Sequence, residues 1–592
     1  MKLIFDIETN GLLDSLDQVH CMSVIDLDMP EDVLMFSHKN LVAGVEMLMA
    51  AEELIGHNII KFDIPAIKKV YPWFDFKGKL TDTLVLSRVI WPDIRDRDMI
   101  LRRRDPEFPS KFLGSHNLGS WGYRLGVAKS DYEGTWEEWN QEMHDYCEQD
   151  ARVTLALYNK ILDKNLHPKA WWLEHEVAKI LQEQEQYGIK FDVDAATDLY
   201  GRLCGRRDEL SRDLAGLFPD WEVRTPFVPK SNNKKLGYEK GVPTEKVKIV
   251  QFNPNSRDHI ANRLVEKYGW EPREFTPEGK PRVDELVLGK LDYPEAQLLA
   301  ESFMLTKRIG QLAEGENAWL KLERDGVIHG SVNTNGAVTG RMTHAYPNMA
   351  QVPSTRALYG AECRSLFVAR RGHLLVGCDA DALELRCLAS YMALFDDGEY
   401  VDVVLNGEKS AGTDTHSRNA KVLGCSRDDA KTWFYAFIYG AGNKKLGQIL
   451  GKGAKAGAES KKAFFEALPA LDKLISVVVS TAKDRGHLIG LDGRPLYLRS
   501  YHAALNTLLQ SAGAVIMKQA LVILHGDIKQ YELPAHFVAN VHDEWQIEVK
   551  EGSEHELGRR AVDAIRAAGD QLALRCPMDA QYCVGKNWAE TH

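Results

Sequence analysis

The sequence predicts a multidomain α/β protein, and three observations carry that expectation. At 592 residues the chain exceeds what one hydrophobic core organises, and its length implies about three to five domains. Short apolar runs of strand character recur and end in acids, as in Lys2-Leu-Ile-Phe-Asp-Ile-Glu and Leu374-Leu-Val-Gly-Cys-Asp. Long helical patterns lie between them. The clearest begins at Arg427 and runs through Trp433, Phe434 and Tyr435 to a Gly440-Ala-Gly stop. Composition is that of an ordinary globular protein, 44% hydrophobic and 27% charged. The net charge of −11 argues weakly against a nucleic-acid partner, although a basic cleft can coexist with an acidic exterior. Nine cysteines without a C-x-x-C pair fit reduced thiols and no structural zinc. Asp6 and Glu8 interrupt the first apolar run, so the N-terminus does not read as a signal peptide. No stretch is expected to reach the ~18 apolar residues of a membrane span, and the protein is expected in the cytoplasm.

The first strand puts Asp6 and Glu8 on one face. Two adjacent acids repel unless a cation lies between them, so metal binding is the economical reading; a solvated edge strand is the bland one. Asn58 then precedes Asp63 by five residues. A helical Tyr146-Cys-Glu-Gln-Asp150 places Tyr146 and Asp150 one turn apart. Asp6, Glu8, Asp63 and Asp150 make four acids, enough for two divalent cations ~4 Å apart that activate water against a phosphodiester. The order D-x-E, N-x-x-x-F-D, Y-x-x-x-D resembles the DEDD-type 3′–5′ exonucleases of the Tyr subclass. Asp82 resembles a further acidic position near such a site.

From Trp171 to Leu217 the pattern is long-helical and charged. Residues 218–252 hold Pro219, Pro226, Pro229 and Pro243 among six lysines and read as a basic, mostly irregular insertion. Such a loop either follows DNA phosphates or is simply solvated. Helical signals resume from Asn255 to about Glu323, before a polar, glycine-rich segment that ends in Thr339-Gly340-Arg341. An Arg on that turn is shaped to reach groove acceptors or phosphates, with a plain surface loop as the alternative. Asp379 closes a strand, and Phe537 to Val549 reads as a hairpin whose turn carries His542, Asp543 and Glu544. Between these acids lies the helical stripe Arg427, Lys431, Tyr435, Tyr439, repeating every four residues. Two cations followed by two rings suit a ligand with a polyphosphate at one end and a flat base at the other; solvated cations on an amphipathic helix are the alternative.

Arg427-x-x-x-Lys431-x-x-x-Tyr435-x-x-x-Tyr439-Gly, with Asp379…Glu384 before it and His542-Asp543-Glu544 after, resembles motifs B, A and C of family A DNA polymerases. Asn335-Gly-Ala-Val-Thr-Gly-Arg, Asp492-Gly-Arg, His502-Ala-Ala-Leu-Asn and the C-terminal Asn587-Trp-Ala-x-x-His592 resemble in particular the replicative DNA polymerases of T-odd-type podoviruses. The resemblance covers nearly the whole chain. It implies a ribonuclease H-like 3′–5′ exonuclease over residues 1–165, a thumb over 166–325 with an insertion at 218–252, palm segments at 326–391 and 506–592, and fingers over 392–505.

The resemblance further implies roles. Asp379, Asp543 and the Ala380 carbonyl would hold two Mg²⁺ ions, with Mn²⁺ as a substitute, and the N-terminal four acids a second pair with Tyr146 beside them. Arg427, Lys431 and His416 would bind the triphosphate, Lys431 also giving a proton to pyrophosphate. Tyr435 and Tyr439 would face the nucleotide, and Glu384 would exclude a ribose 2′-hydroxyl. Arg341, Asn506, Gln510 and His542 would follow the primer–template minor groove, where correct pairs present similar acceptors. The implied partners are primer–template DNA, deoxynucleoside triphosphates, a replicative helicase-primase and a processivity factor; the shortness of the insertion leaves host thioredoxin open as that factor. Asp381 departs from the small hydroxyl residue usual in the family, and either faces away from Asp379 or disturbs it. Alternative readings are a single-subunit RNA polymerase, a repair enzyme of the DNA polymerase I type, and a degenerate copy acting as a binding subunit. Glu384 and the N-terminal acids oppose the first, the C-terminus the second, and the full set of acids the third.

Overall fold

The computed structural model describes residues 1–127 and 132–592. These form two compact units, one of residues 1–189, 329–351 and 369–592, the other of residues 190–328 and 352–368. The first unit opens with strands β1 (Lys2–Thr9), β2 (Val19–Asp26), β3 (Leu34–Ser37), β4 (Glu53–Gly56) and β5 (Lys79–Asp82). They make one sheet in the order β3-β2-β1-β4-β5, with β1 to β3 antiparallel and β4 and β5 parallel to β1. The period-2 pattern of β1 sends Leu3, Phe5 and Ile7 into one core cluster, while Ile4 packs on the opposite face with Ala151 and Tyr158. Asp6 and Glu8 share that opposite face.

The helices of this region include α1 (Asp63–Val70), between β4 and β5, and after β5 α2 (Thr83–Ile90), α3 (Gln141–Leu162), which Asn140 caps through the Met143 N–H, and α4 (Pro168–Tyr187). Asp82 ends β5 and caps α2. Its carboxylate accepts from Leu84 and Val85 at 2.9 and 3.3 Å and also from the Asn58 and Ile60 amides at 3.0 and 3.1 Å. Four backbone donors therefore converge on one buried acid, and the segment leading to Asp63 is fixed by it.

After a short ladder of β6 (Ser331–Asn333) and β7 (Thr343–Ala345), strand β8 (His373–Ala380) enters a second sheet. Its partners lie far downstream, beyond α5 (Leu383–Asp396), α6 (Thr415–Leu423), α7 (Arg427–Ile438) and α8 (Ala504–Gln530). They are β9 (Ala535–Val541), β10 (Glu544–Lys550) and, after α9 (Glu554–Gln571), β11 (Ala580–Gly585), in the order β9-β10-β8-β11, all antiparallel. Helices α8 and α9 cover this sheet through Leu521, Leu524, Ala561 and Ile565, which join Val376, Ile547 and Val549 in the largest core cluster. The helix at Arg427 stops at Ile438, earlier than the sequence pattern, because Gly440 turns the chain at φ 81°.

Three expectations change. The helical stretch from Trp171 to Leu217 is two helices, α4 and Val193–Leu217, separated at Gly188 with φ 64°. Helix α4 lies in the first unit, where its buried Glu174 pairs with Lys518 and Arg494. Residues 218–252 hold regular structure that the sequence reading did not include: Trp221–Phe227 and Thr244–Val250 form an antiparallel hairpin, closed at its base by buried Phe218 against Phe252 with ring centroids 4.6 Å apart. The β-branched Val223, Thr225, Val247 and Ile249 favour the strands that the prolines and lysines had masked. Finally, Tyr501–Gln530 is long and apolar enough to cross a membrane, with a mean hydropathy of 1.5 over its best window, against the expectation that no stretch is. Of that window 72% is buried inside the protein, as a core helix demands.

Replacing Asp82 with Ala leaves buried backbone donors unpaired and removes a cap. Stability is expected to fall by about 3 kcal/mol or more, read as a lower midpoint in urea unfolding followed by the tryptophans.

Candidate functional site

The second sheet brings its acids together by register. Asp379, near the end of β8, lies opposite Glu544 of β10, so the β9–β10 turn carries Asp543 to its side. The Ala380 N–H donates to the Asp543 carbonyl at 3.0 Å and locks the two segments. His542 turns the chain in the left-handed region at φ 58°. Burial, with the neighbouring charges of Asp543 and Glu544, pushes Asp379 up to about 7, and burial raises Asp543 as well. Two half-desolvated carboxylates and a backbone carbonyl are an all-oxygen donor set, which fits a hard divalent cation. Asp381 points elsewhere: its carboxylate accepts from Gln581 Nε2 at 3.3 Å, and it does not line the cavity at Asp379. Its charge nevertheless adds to the upward shift of Asp379, so it turns aside without leaving that acid undisturbed.

That cavity, of about 370 Å³, is lined by Arg341, Asp379, Ala380, Glu384, Tyr435, Tyr439, His542 and Asp543. Glu384, on the first turn of α5, accepts from Arg341 Nη2 and from Tyr439 Oη, each at 2.7 Å. It thereby joins the turn before β7 to the end of α7. Burial and the Glu384 carboxylate raise the Tyr439 phenol, keeping it a donor. Burial, then the charge of Arg341, lowers His542.

Arg427, Lys431 and His416 lie outside this cavity, further along α6 and α7. Arg427 pairs with Asp414 at 2.7 Å, a partner that the sequence reading missed. Burial would raise Asp414, but Arg427 and Ser417 outweigh it and hold the acid at about 2. Lys431 is exposed. His416 is buried, 5.9 Å from the Tyr435 ring, and burial with the charges of Arg427 and Lys431 lowers its pKa. Asn506 and Gln510 are half-buried one turn apart on α8 and do not line the cavity.

The N-terminal acids form a second cluster. Ligand atoms of Asp6, Glu8 and Cys147 lie within 4.8 Å of one another, and the Cys147 thiol donates to the Asp6 carbonyl. Asp63 is buried beside Ile7, between the two strand acids; burial, with added repulsion from Asp82 and Asp150, pushes it up to about 8. Tyr146 lies one helical turn before Asp150 on α3, its ring 6.0 Å from Tyr132 and 6.2 Å from Trp136. Cys147 was not singled out from sequence, although its place between Tyr146 and Asp150 was in view.

A sequence model of DNA polymerase family A matches residues 233–590. The chain belongs to DNA polymerase family A. It is 37% identical to the DNA-directed DNA polymerase of Escherichia phage T7 and 36% identical to that of Enterobacteria phage T3, in each case over 100% of both chains. Among solved structures it is similar to the polymerase domain of Pol1 from M. smegmatis in complex with DNA primer-template and dNTP. That likeness has a TM-score of 0.75 at 18% identity and covers 100% of this chain and 95% of the other.

Removing the Tyr439 hydroxyl as Tyr439→Phe takes one donor from Glu384 and leaves the ring. Glu384 is half-shielded, so the loss in stability is expected to stay within about 1.5 kcal/mol, checked by the urea midpoint.

Proposed function

We propose that the protein is a template-directed, DNA-dependent DNA polymerase that also carries a 3′–5′ proofreading exonuclease, replicating viral DNA in the bacterial cytoplasm. The observation that carries this reading is that acids gather in two separate places, Asp379 with Asp543 in the second sheet and Asp6 with Glu8 on β1, where Asp63 also feels the charge of Asp150. The first sheet, antiparallel on one side and parallel on the other, supports a ribonuclease H-like arrangement for the proposed exonuclease. Divalent cations, Mg²⁺ or Mn²⁺, would be held by Asp379, Asp543 and the Ala380 carbonyl and by the N-terminal acids; bound there, they lower the pKa of the attacking oxygen and neutralise the leaving one.

The chain's own residues do the rest. Asp379 and Asp543 orient the primer 3′-hydroxyl toward the α-phosphate. Arg427, Lys431 and His416 take the triphosphate, and Lys431, exposed on α7, donates the proton that pyrophosphate needs. Tyr435 offers a face to sugar and base. Glu384, held by two hydrogen bonds, fills the space where a 2′-hydroxyl would sit. Arg341 and His542 on the cavity wall, with Asn506 and Gln510 on α8, read the minor groove and sense pair geometry. On the other sheet Tyr146 orients the water that attacks a frayed 3′ end. Primer–template DNA and deoxynucleoside triphosphates are the partners, as in the M. smegmatis complex; a helicase-primase and a processivity factor remain expected partners of a replicative enzyme.

Asp543→Ala is expected to abolish primer extension and leave 3′ shortening intact, while Asp6→Ala does the reverse. Loss of both activities from either change, in protein with native circular dichroism, overturns the two-site reading. Glu384→Ala is expected to relax discrimination against ribonucleotides by roughly 10- to 200-fold, measured as a ratio of kcat/KM values. Cation binding competes with protons on Asp379, whose pKa near 7 is that of the metal-free acid. The Mg²⁺ concentration for half-maximal extension should therefore rise about tenfold per pH unit below 7 and level off above it.

A further inference from the structure

Beneath the turn that carries Arg341 lies a group of charges buried to near completion. Glu174 of α4 is fully buried and meets Lys518 Nζ of α8 at 2.5 Å and Arg494 Nη2 at 2.7 Å, where the cations are 1% and 2% exposed. Asp492 closes the group against Arg494. Burial would raise Glu174, yet the two cations hold it at about 2, so it is ionised. Removing such charges from water is costly, and apolar side chains of the same volume commonly serve stability as well or better. Stability alone therefore does not account for the group. Its contacts point to geometry.

Each cation reaches past Glu174 to the same short loop. Lys518 Nζ donates to the Gly340 carbonyl at 2.8 Å, and Arg494 Nη1 donates to Asn335 Oδ1 at 3.1 Å. The loop closes on itself where the Gly336 N–H donates to the Arg341 carbonyl at 3.1 Å. Its outer side is tied to the first sheet's helices: Asn335 Nδ2 donates to the Arg88 carbonyl at 2.8 Å, and Lys61 Nζ to the Val332 carbonyl at 2.7 Å. Gly340 has φ 81°, and a Cβ there would lie 2.9 Å from Arg494 Nη1. The loop has been brought against the buried cations as closely as a backbone allows. Arg341 is the next residue, and it projects to Glu384 on the cavity wall.

We propose that Lys518, braced by Glu174, is a positioning residue for Arg341, fixing through the Gly340 carbonyl the reach of that guanidinium into the cavity and hence the enzyme's sensitivity to a mismatched primer terminus. This rests on the reading of Arg341 as a minor-groove sensor. Misplacement of a positioning group by about 1 Å can cost up to a hundredfold in rate, and a correct terminus has more to lose than a mismatched one.

The test uses the full-length enzyme, primers whose 3′ linkages are phosphorothioate so that degradation does not interfere, and kcat and KM for the next nucleotide on matched and mismatched termini. Arg341→Ala, Lys518→Met, Gly340→Ala and the Lys518→Met/Arg341→Ala double variant are compared. The expected result is a fall of about tenfold or more in the matched-to-mismatched ratio for each single variant, carried by kcat, with the double variant no worse than Arg341→Ala alone. Equal losses on both termini for Lys518→Met, or penalties that multiply in the double variant, overturn the positioning role while Arg341 keeps its own. An unchanged ratio in Arg341→Ala instead removes the groove-sensor reading, and the proposal with it. Should Lys518→Met fail to fold, Lys518→Arg decides by the same ratio, since it keeps a cation beside Glu174 while shifting the donor to the Gly340 carbonyl.

Discussion

Like charges held together in a poorly solvated place set the terms for the rest of this molecule. At an effective dielectric of about 20, two carboxylates ~4 Å apart repel by roughly 4 kcal/mol. Asp379 and Asp63 register the cost of burial first, and that repulsion after it, in carboxyl groups displaced to about 7 and about 8. A chain keeps such groups adjacent only if its backbone leaves them no retreat. Here the backbone does so twice: β8 is hydrogen-bonded on both edges and tied at Ala380 to the turn of Asp543, and β1 lies inside its sheet with α3 across the acid-bearing face. The cores behind the two sheets stabilise the strands enough to bear that cost.

Glu384 shows the opposite use of charge. It sits in the same cavity as Asp379 and Asp543, yet it is satisfied by Arg341 and Tyr439 from two different segments. An acid clamped in this manner has little rotamer freedom, and a rigid carboxylate excludes a neighbouring hydroxyl better than a mobile one. The clamp also links the helix that bears the cationic stripe to the sheet that bears the acids, so movement of one alters the other's walls.

What the sequence made legible follows from periodicity. The alternation of β1 placed Asp6 and Glu8 together, the four-residue spacing on α3 placed Tyr146 near Asp150, and the strand-then-turn pattern at Val541 placed Asp543 at a corner. Local signals carry local geometry. Contacts between distant segments leave no comparable trace. Glu174 and Lys518 are separated by 344 positions, and on one sequence a buried charge looks like a surface one. Asp414 and Arg427, 13 residues apart, meet across two helices and not along one. The hairpin at Trp221–Phe227 was hidden for another reason: prolines and lysines outweigh its β-branched residues in composition, while pairing between strands decides the structure.

The pairs on α6 and α7 bear on how the proposed nucleotide site is kept before use. Arg427 is the residue best shaped to grip a triphosphate, and it is already occupied by Asp414. An exposed guanidinium left alone would adopt many rotamers, all but one useless, so the internal carboxylate holds it near one orientation. Exchange is inexpensive because Asp414 does not become an orphan: Ser417 and the His416 backbone N–H still donate to it. A triphosphate brings more negative charge than one carboxylate and can add Lys431, which Asp414 does not engage. Arg341 is held by Glu384 in the same way, and in the proposed complex a base pair would offer it groove acceptors instead. In both places an internal carboxylate holds the arginine near one orientation, and under the proposed function its release would be coupled to a correctly placed substrate.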